Sequence, residues 1–398
     1  MPNMTSKVFQ IRKTSELPFY CRPFQLFVAV WIMMLVTFEL KISYTSYPYI
    51  SLALELFAIS LISFSIGYAT VHSGARAIGY RSARPSAYQI DQTKLRRFHL
   101  ICFTVTLAVI ALNWKLYGQP PIFGFFGADT LTYGEYGSLK QALFPAFMAI
   151  FVTAPLENSR IRRWFWYAFG PFCALLYASR GYLLILLFQM LVVFSVRTTL
   201  SKKKIYLIAL ATLICAIVLS NFIGNGRISE GSAALLGWMQ IKRSYYDWPT
   251  AYLWMISYIS SPISNMCWIV RSYHYDHPSA AFLYELLPGF WAPKSLEAGD
   301  LGSQNIVDGV HTYLAKYFLD FWWFGIFGIN YVWGLISGFL TINNGLARNY
   351  LTSAVLLACI GFLFFADFIT FLLIFLELVL LGFAQRYFTV DRLSTNLG

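Results

Sequence analysis

Residues 48–70 have the sequence PYISLALELFAISLISFSIGYAT, which contains a single charged side chain, Glu55. An apolar stretch of roughly 20 residues is what a helix needs to cross the hydrocarbon core of a bilayer. The rest of the chain has the same character, since 58% of its 398 residues are hydrophobic and only 12% are charged. Soluble domains carry about 25% charged residues. The composition therefore predicts an all-α integral membrane protein whose backbone is hydrogen-bonded within each helix.

Similar apolar segments recur along the chain and predict about ten transmembrane helices in one polytopic domain, residues 1–398, or 11–12 if re-entrant helices are counted. The predicted spans are 24–40, 48–70, 98–117, 141–156, 164–179, 181–196, 205–221, 321–342, 350–366 and 369–385.

The distribution of Lys and Arg predicts the orientation of these spans. Cytoplasmic loops of membrane proteins are enriched in Lys and Arg. With the N-terminus in the cytoplasm, two thirds of these residues and nearly all of the clusters fall on the cytoplasmic side, and the C-terminus lies there too. Because the basic residues are scattered between apolar segments, the net charge of +12 is explained by topology, and a nucleic-acid partner is not expected.

Two long connections, 118–140 and 222–320, then lie on the outer face. The second contains the apolar segment 250–270, and a single crossing there would invert the charge pattern downstream. We therefore expect an interfacial or re-entrant helix, broken near Ser261-Pro262, in a large loop that holds short helices.

The predicted spans 164–179 and 181–196 form a tight hairpin around Arg180. Each arm provides roughly 24 Å of helix, against a hydrocarbon core near 30 Å. The turn is therefore expected below the outer surface, where a charged guanidinium needs a partner or a wet cavity. Either Arg180 snorkels outward or pairs with an acid such as Glu55 or Asp367, or it faces an anion in an outward-open cavity.

Other cations are predicted on the same outer side. Arg227 follows the seventh span, Arg243 precedes Tyr245, and Arg271 is followed closely by His274. Each of them alone is an ordinary loop residue, but together they predict a basic outer vestibule. The planar fork of arginine suits phosphate oxygens, so a diphosphate is the expected ligand.

Candidate acids and bases are fewer. His311 and Asp320 lie where the large loop enters the eighth span, and either could accept a proton from a hydroxyl group. The alternatives are a polar loop residue for His311 and a helix-end hydrogen-bond acceptor for Asp320. Four more acids are expected at membrane depth: Glu39 and Asp367 near helix ends, and Glu55 and Glu377 facing the bundle interior.

The sequence contains no phosphate-binding GxxxxGK[ST] loop, HExxH helix, dinucleotide-binding fingerprint or paired-cysteine metal spacing. We therefore expect no cofactor and no metal, and an enzyme of this composition has to use a substrate that is already activated.

In layout and in three short stretches the chain resembles the O-antigen polymerases of the Wzy type, which polymerise oligosaccharide repeat units. The layout combines many spans rich in Phe, Tyr, Leu and Ile with a large periplasmic loop late in the chain. The local similarities are Ser179-Arg180-Gly181, the stretch Tyr258-Ile259-Ser260-Ser261-Pro262-Ile263-Ser264-Asn265, and the run from Asn305 to Thr312 with Asp320 and Gly325. The chain departs from the family in the last run, because Trp322 and Trp323 stand between Asp320 and Gly325, where glycine more often follows aspartate closely.

The resemblance implies an enzyme of the bacterial inner membrane with a periplasmic active site. It would transfer a growing glycan from undecaprenyl diphosphate to the next lipid-linked repeat unit. Membrane lipid and a separate chain-length regulator protein are the other partners that it implies. In the implied site, His311 and Asp320 are catalytic, Arg180, Arg227, Arg271 and Arg243 bind the diphosphate, and Tyr258, Asn265, His274, Asn305 and Tyr313 contact the substrate.

Two alternatives stay open. An O-antigen ligase or another polyprenyl-phosphate glycosyltransferase would share the basic outward cavity and use a different acceptor. A flippase or transporter of lipid-linked glycans would need polar residues along the whole path to the cytoplasmic side, whereas the cytoplasmic halves of the predicted spans are mostly apolar.

Overall fold

The computed structural model describes residues 8–9, 16–78, 88–126, 139–177, 179–196, 201–226, 236–237, 239–272, 312–342, 346 and 349–391. Most of these residues are helical. The helices are α1 (Pro23–Glu39), α2 (Ile50–Ala77), α3 (Gln92–Tyr117), α4 (Leu139–Thr153), α5 (Arg160–Leu176), α6 (Arg180–Val196), α7 (Lys202–Gly226), α8 (Thr250–Ser272), α9 (Leu314–Thr341), α10 (Tyr350–Gly361) and α11 (Leu372–Phe388). Three short strands accompany them: β1 (Val8–Phe9), β2 (Tyr88–Ile90) and β3 (Thr389–Asp391).

Each of the ten predicted apolar segments contains a helix. Of the described helices, α2, α3 and α9 are long and apolar enough to cross a membrane by length and composition. Shorter apolar helices occupy Pro23–Glu39, Leu143–Leu156, Gly181–Val196 and Tyr350–Gly361. The fold is thus a bundle of apolar helices, with a three-stranded sheet that hydropathy did not predict.

Large apolar side chains point outward from the middle of several helices. Leu100 and Ile101 of α3 are each 62% exposed, and Leu207 of α7 is 68% exposed. Water-soluble monomers rarely expose contiguous apolar surface of this kind. These outward faces are suited to contact with lipid acyl chains, while the interior is closed by aromatic residues such as Trp31 and Trp333, each 1% exposed or less.

Helices α2 and α9 pack in parallel through glycines that leave no room for a side chain. A Cβ atom on Gly67 would lie 2.2 Å from the carbonyl oxygen of Tyr331, and one on Gly334 would lie 2.2 Å from that of Phe64. Close backbone approach through small residues is the usual way that helices associate in lipid. Because the contact is tight over several turns, α2 and α9 form a fixed frame for the groups at their ends.

One end of the bundle, here called the sheet end, is closed by the three strands. Strand β2 pairs antiparallel with β1 and with β3, so the N-terminal segment, the connection before α3 and the segment after α11 meet there. The backbone N–H of Asp91 also donates to the carbonyl of Phe388 over 2.8 Å. The described basic residues at this end or on the adjoining turns of its helices include Arg76, Lys94, Arg96, Arg97, Arg160, Arg162, Arg163, Lys203, Lys204 and Arg386.

The opposite end, here called the loop end, joins the connection between α1 and α2 to residues 239–245. Ser43 forms a β-bridge with Ile241, and its hydroxyl donates to the carbonyl of Met239 over 2.8 Å. The hydroxyl of Tyr245 donates to the carbonyl of Leu40 over 2.6 Å. These bonds attach residues 239–245 of the large loop to the C-terminal end of α1 and the connection that follows it.

Helix α8 differs from the expected broken segment, because it runs without interruption through Pro262. The expected break near Ser261-Pro262 is wrong. Proline is tolerated inside a buried helix where neighbouring elements hold it in place, and Pro262 is buried. Both ends of α8 stay near the loop end: Thr250 bonds to Asn221 near the end of α7, and the indole of Trp268 donates to the carbonyl of Thr45 over 3.0 Å.

Candidate functional site

An unusual backbone conformation occurs inside α9, at Trp322. Its φ of 57° and ψ of −144° are not helical, so α9 consists of a short helix, a sharp bend and a long helix from 323 to 341. A positive φ is strained for a bulky residue, and such strain accumulates at functional sites. The bend brings Gly325 against the chain before it, where a Cβ atom would lie 1.9 Å from the carbonyl oxygen of Tyr317. The Trp322 ring stacks on Phe318, with the ring centres 4.8 Å apart.

The bend carries Asp320, which was predicted from the sequence. Its side chain is 0% exposed. A second buried carboxyl, Asp367, lies in the connection between α10 and α11. Its Oδ2 accepts a hydrogen bond from the hydroxyl of Tyr317, which lies three residues before Asp320 in the same short helix. Asp367 was expected near a helix end within reach of headgroups, but it is 1% exposed because the Tyr317 hydroxyl provides its hydrogen bond inside the protein.

Tyr313, another predicted residue, is fixed by a buried polar chain across the α2–α9 frame. Its hydroxyl donates to Oδ1 of Asn330. The amide of Asn330 donates in turn to the hydroxyl of Ser60 over 3.1 Å and to the carbonyl of Ile326 over 2.8 Å. Tyr313, Asn330 and Ser60 are each 1% exposed or less. The short helix before the bend is therefore tied to the long helix after it and to α2.

A narrow cleft lined by hydroxyl groups runs between α8 and residues 42–46. Its interior volume is about 20 Å³, room for about one water molecule. The predicted residue Asn265 lies in its wall and is 1% exposed. The backbone N–H of Tyr47 donates to the hydroxyl of Ser264 over 2.7 Å. The cleft is lined by Ile42, Ser43, Thr45, Ser46, Met239, Ser257, Ser260, Ser261, Ser264 and Asn265.

Aromatic rings connect α8 to the connection that holds Asp367. The predicted residue Tyr258 is half-buried and contacts Trp254, whose ring is stacked, and Phe365, whose ring is tilted, each at a ring-centre distance of 5.7 Å. These ring contacts join α8 to the connection between α10 and α11, which holds Asp367.

The structure describes the side chains of only two of the predicted diphosphate-binding arginines, Arg243 and Arg271. Arg243 lies in the 3₁₀ helix Arg243–Tyr245, Arg271 lies in the last turn of α8, and both side chains are exposed. The pKa of the Tyr47 phenol is raised above its ordinary value, mainly by burial. The positive charge of Arg271 opposes this increase, which indicates that Arg271 lies near Tyr47. Arg180 is the first residue of α6. Its side chain and all of Arg227, His274, Asn305 and His311 lie outside the described residues.

The two acids expected to face the interior behave differently. Glu377 is fully buried and accepts a hydrogen bond from Gln189 over 3.2 Å, which confirms its predicted position. The prediction for Glu55 is wrong, because its side chain is exposed. The buried face of α2 follows Ala53, Leu56 and Ser60, and Glu55 lies beside that face.

Neither a protein-family model nor a curated protein nor a solved structure matches this chain. The geometry of the site therefore carries the chemical argument. Two buried carboxyls, a strained bend, a hydroxyl-lined cleft and exposed arginines occur at one end of the bundle. Hydroxyl and carboxyl groups of these kinds can form hydrogen bonds with a hydroxyl group and accept its proton.

Sequence reasoning missed the partners of the predicted residues. The contacts of Tyr317 with Asp367 and of Asn330 with Ser60 join residues 50 and 270 positions apart. One signal was present in the sequence: Gly334 and Gly338 are spaced four residues apart, a pattern that favours close helix packing.

Proposed function

We propose that the chain is a glycosyltransferase of the bacterial inner membrane that polymerises undecaprenyl-diphosphate-linked oligosaccharide repeat units at the periplasmic face. In this proposal the chain crosses the membrane about ten times, with both termini in the cytoplasm. The growing glycan is transferred from its lipid diphosphate to a hydroxyl group of the next lipid-linked unit.

The two ends of the bundle support this orientation. The sheet end joins the N-terminal segment, the connection before α3 and the segment after α11, as an even number of crossings between them requires. Its basic residues include Arg97, Lys203 and Arg386, all exposed. Since cytoplasmic surfaces of membrane proteins are enriched in Lys and Arg, the sheet end suits the cytoplasm and the loop end suits the periplasm.

The reaction needs a base, a bound leaving group and an oriented acceptor. The acceptor oxygen forms a bond to the anomeric carbon of the growing glycan while the bond from that carbon to the diphosphate oxygen breaks. The acceptor proton goes to Asp320 or His311, and undecaprenyl diphosphate leaves with the electron pair. Arg180, Arg227, Arg271 and Arg243 are proposed to stabilise the negative charge on that leaving group.

The single observation that carries the proposal is the bend at Trp322. It places a buried carboxylate, Asp320, at the loop end on a backbone that is held by Gly325 and by the Tyr313–Asn330–Ser60 chain. A strained backbone with a buried acid is expensive to maintain, which favours a catalytic role over a structural one. Tyr258, which packs against Trp254 and Phe365, and Asn265, in the wall of the cleft, are proposed to contact the substrate.

The test is deletion of the gene in its host, followed by gel analysis of the lipopolysaccharide. Deletion is expected to reduce the ladder of O-antigen lengths to core plus one repeat unit. Wild type restores the ladder, whereas stably expressed Arg180→Ala does not. Arg386→Ala, a matched arginine at the sheet end, is expected to restore it.

Other outcomes would replace the proposal. Accumulation of free lipid-linked polymer in the deletion strain would show that the chain is a ligase. An unchanged ladder would remove the glycan function altogether and leave only a bundle of apolar helices.

A second candidate, a transporter of lipid-linked glycans, is favoured by polar contacts inside the bundle. His99 of α3 bonds to Thr153 of α4 over 2.9 Å, and Gln189 of α6 bonds to Glu377 of α11. Transporters use such groups along their paths. Accumulation of repeat units that face the cytoplasm in the deletion strain would favour this candidate over the polymerase.

A further inference from the structure

The contact between Glu377 and Gln189 lies inside the bundle and has no part in the proposed transfer reaction. Both side chains are 0% exposed. The amide nitrogen of Gln189 donates to Oε2 of Glu377 over 3.2 Å. The two remaining oxygens, Oε1 of Glu377 and Oε1 of Gln189, have no hydrogen-bond partner among the described residues.

Two buried acceptor oxygens without a donor are costly in an apolar environment. A buried carboxylate needs an opposite charge or several donors, and an unsatisfied buried polar group costs about 1–3 kcal/mol. One small cation would satisfy both oxygens, since a proton on the carboxyl supplies a donor and Na⁺ accepts oxygen ligands. We infer that Glu377 and Gln189 form a binding site for one monovalent cation, either a proton or Na⁺.

The surroundings contain no described group that could replace this cation. On α10, Cys359 is the titratable neighbour, and it lies within electrostatic range of both Glu377 and Asp367. The described face of α4, residues 143–152, is buried and apolar except for the backbone. A described ion pair, Arg162 with Glu157, involves neither Glu377 nor Gln189. The site is therefore served by no protein cation within the part of the chain that the structure describes.

The same chain offers a matched control in Glu157. It is 2% exposed, nearly as buried as Glu377. Its Oε1, however, accepts from the backbone N–H of Ser159 over 3.0 Å and from Arg162 over 3.4 Å. Oε2 of Glu157 has no hydrogen-bond partner among the described residues, as is true of Oε1 of Glu377. The difference between the two acids is the guanidinium of Arg162, which balances the charge of Glu157 and favours its ionised form without an added cation.

The first experiment treats the purified full-length protein with dicyclohexylcarbodiimide, which modifies protonated carboxyl groups in apolar surroundings, and maps the adducts by mass spectrometry. In Na⁺-free buffer, labelling is expected at Glu377 and not at Glu157. If NaCl abolishes labelling and KCl does not, the cation is Na⁺. If neither salt changes labelling, the cation is a proton.

Infrared spectroscopy tests the protonation of Glu377 even if dicyclohexylcarbodiimide does not reach its side chain. A cation site of this kind predicts a carbonyl band of a protonated carboxyl in Na⁺-free buffer, and its loss in Glu377→Gln. The absence of both labelling and this band in every salt would overturn the inference. Neither measurement depends on glycan transfer, so failure of the cation-site inference can be distinguished from failure of the proposed function.

Discussion

The two ends of this bundle are built differently. At the sheet end, short strands from three distant parts of the chain pair through backbone hydrogen bonds, and the charged side chains there are mainly basic. At the loop end, carboxyls, phenols and serine hydroxyls, several of them buried, accompany the exposed Arg243 and Arg271, and the backbone of α9 is strained at Trp322. The strands at the sheet end hold distant parts of the chain together. The loop end, in contrast, contains buried polar groups and a strained backbone, which lower stability and are not needed to hold the chain together.

The difference teaches where function is to be sought. A buried acid on a strained backbone lowers stability unless its surroundings are fixed. Here α2 and α9 supply that rigidity through glycine contacts that extend from the bend toward the sheet end. The comparison predicts that substitutions at the loop end change activity, and that substitutions at the sheet end change only stability.

The largest effect is expected for Asp320→Asn. If Asp320 accepts the proton, removal of its basic oxygen lowers the rate of glycan transfer by about 10²-fold or more, the usual contribution of a general base. The measurement is release of undecaprenyl diphosphate by purified protein from lipid-linked repeat units. Asp247→Asn is the control, because Asp247 is an exposed aspartate at the same end. A normal rate for Asp320→Asn with folding unchanged would assign catalysis to another group.

The next effect concerns the frame. Gly334→Ala places a Cβ atom 2.2 Å from the carbonyl oxygen of Phe64, so α2 and α9 must separate. Overpacking of this kind costs about 1–3 kcal/mol and is expected to lower the melting temperature in detergent. Gly328→Ala on the same helix is the control, since a Cβ atom there meets nothing within 4 Å. Equal melting temperatures for the two variants would contradict the tight α2–α9 contact.

A smaller effect is expected for Tyr313→Phe, which removes the donor to Asn330. A buried amide oxygen then loses its partner, at a cost of about 1 kcal/mol. Because this bond ties the short helix before the bend to the long helix after it, transfer activity is expected to fall with stability. Tyr331→Phe, on the half-buried side of the same helix, serves as the reference. Lower stability with full activity would show that the bend does not position the reacting groups.

Particular residues show how far the sequence could predict this arrangement. Apolar segments such as 48–70 predicted helices correctly because hydropathy is local. Pro262 led to the wrong prediction of a break in α8, because the contacts that keep α8 continuous there come from residues distant in sequence. The bend at Trp322 had no local signal beyond Gly325 three residues later, and the pairing of Ser60 with Asn330 joins elements at opposite ends of the chain. Orientation on a helix was only partly predictable: Glu377 is buried and Glu55 is not.

The smallest effect is expected at the sheet end, for Asp91→Ala. The carboxylate of Asp91 accepts from the backbone N–H groups of Thr93 over 2.9 Å and Lys94 over 3.1 Å, and so caps the first turn of α3. Loss of an N-cap costs about 1 kcal/mol, which is close to the cost expected for Tyr313→Phe. The two variants should therefore melt at similar temperatures, while only Tyr313→Phe loses transfer activity. Since stability is matched, a loss of activity in Asp91→Ala as well would show that the reaction depends on the whole bundle and not on the loop end.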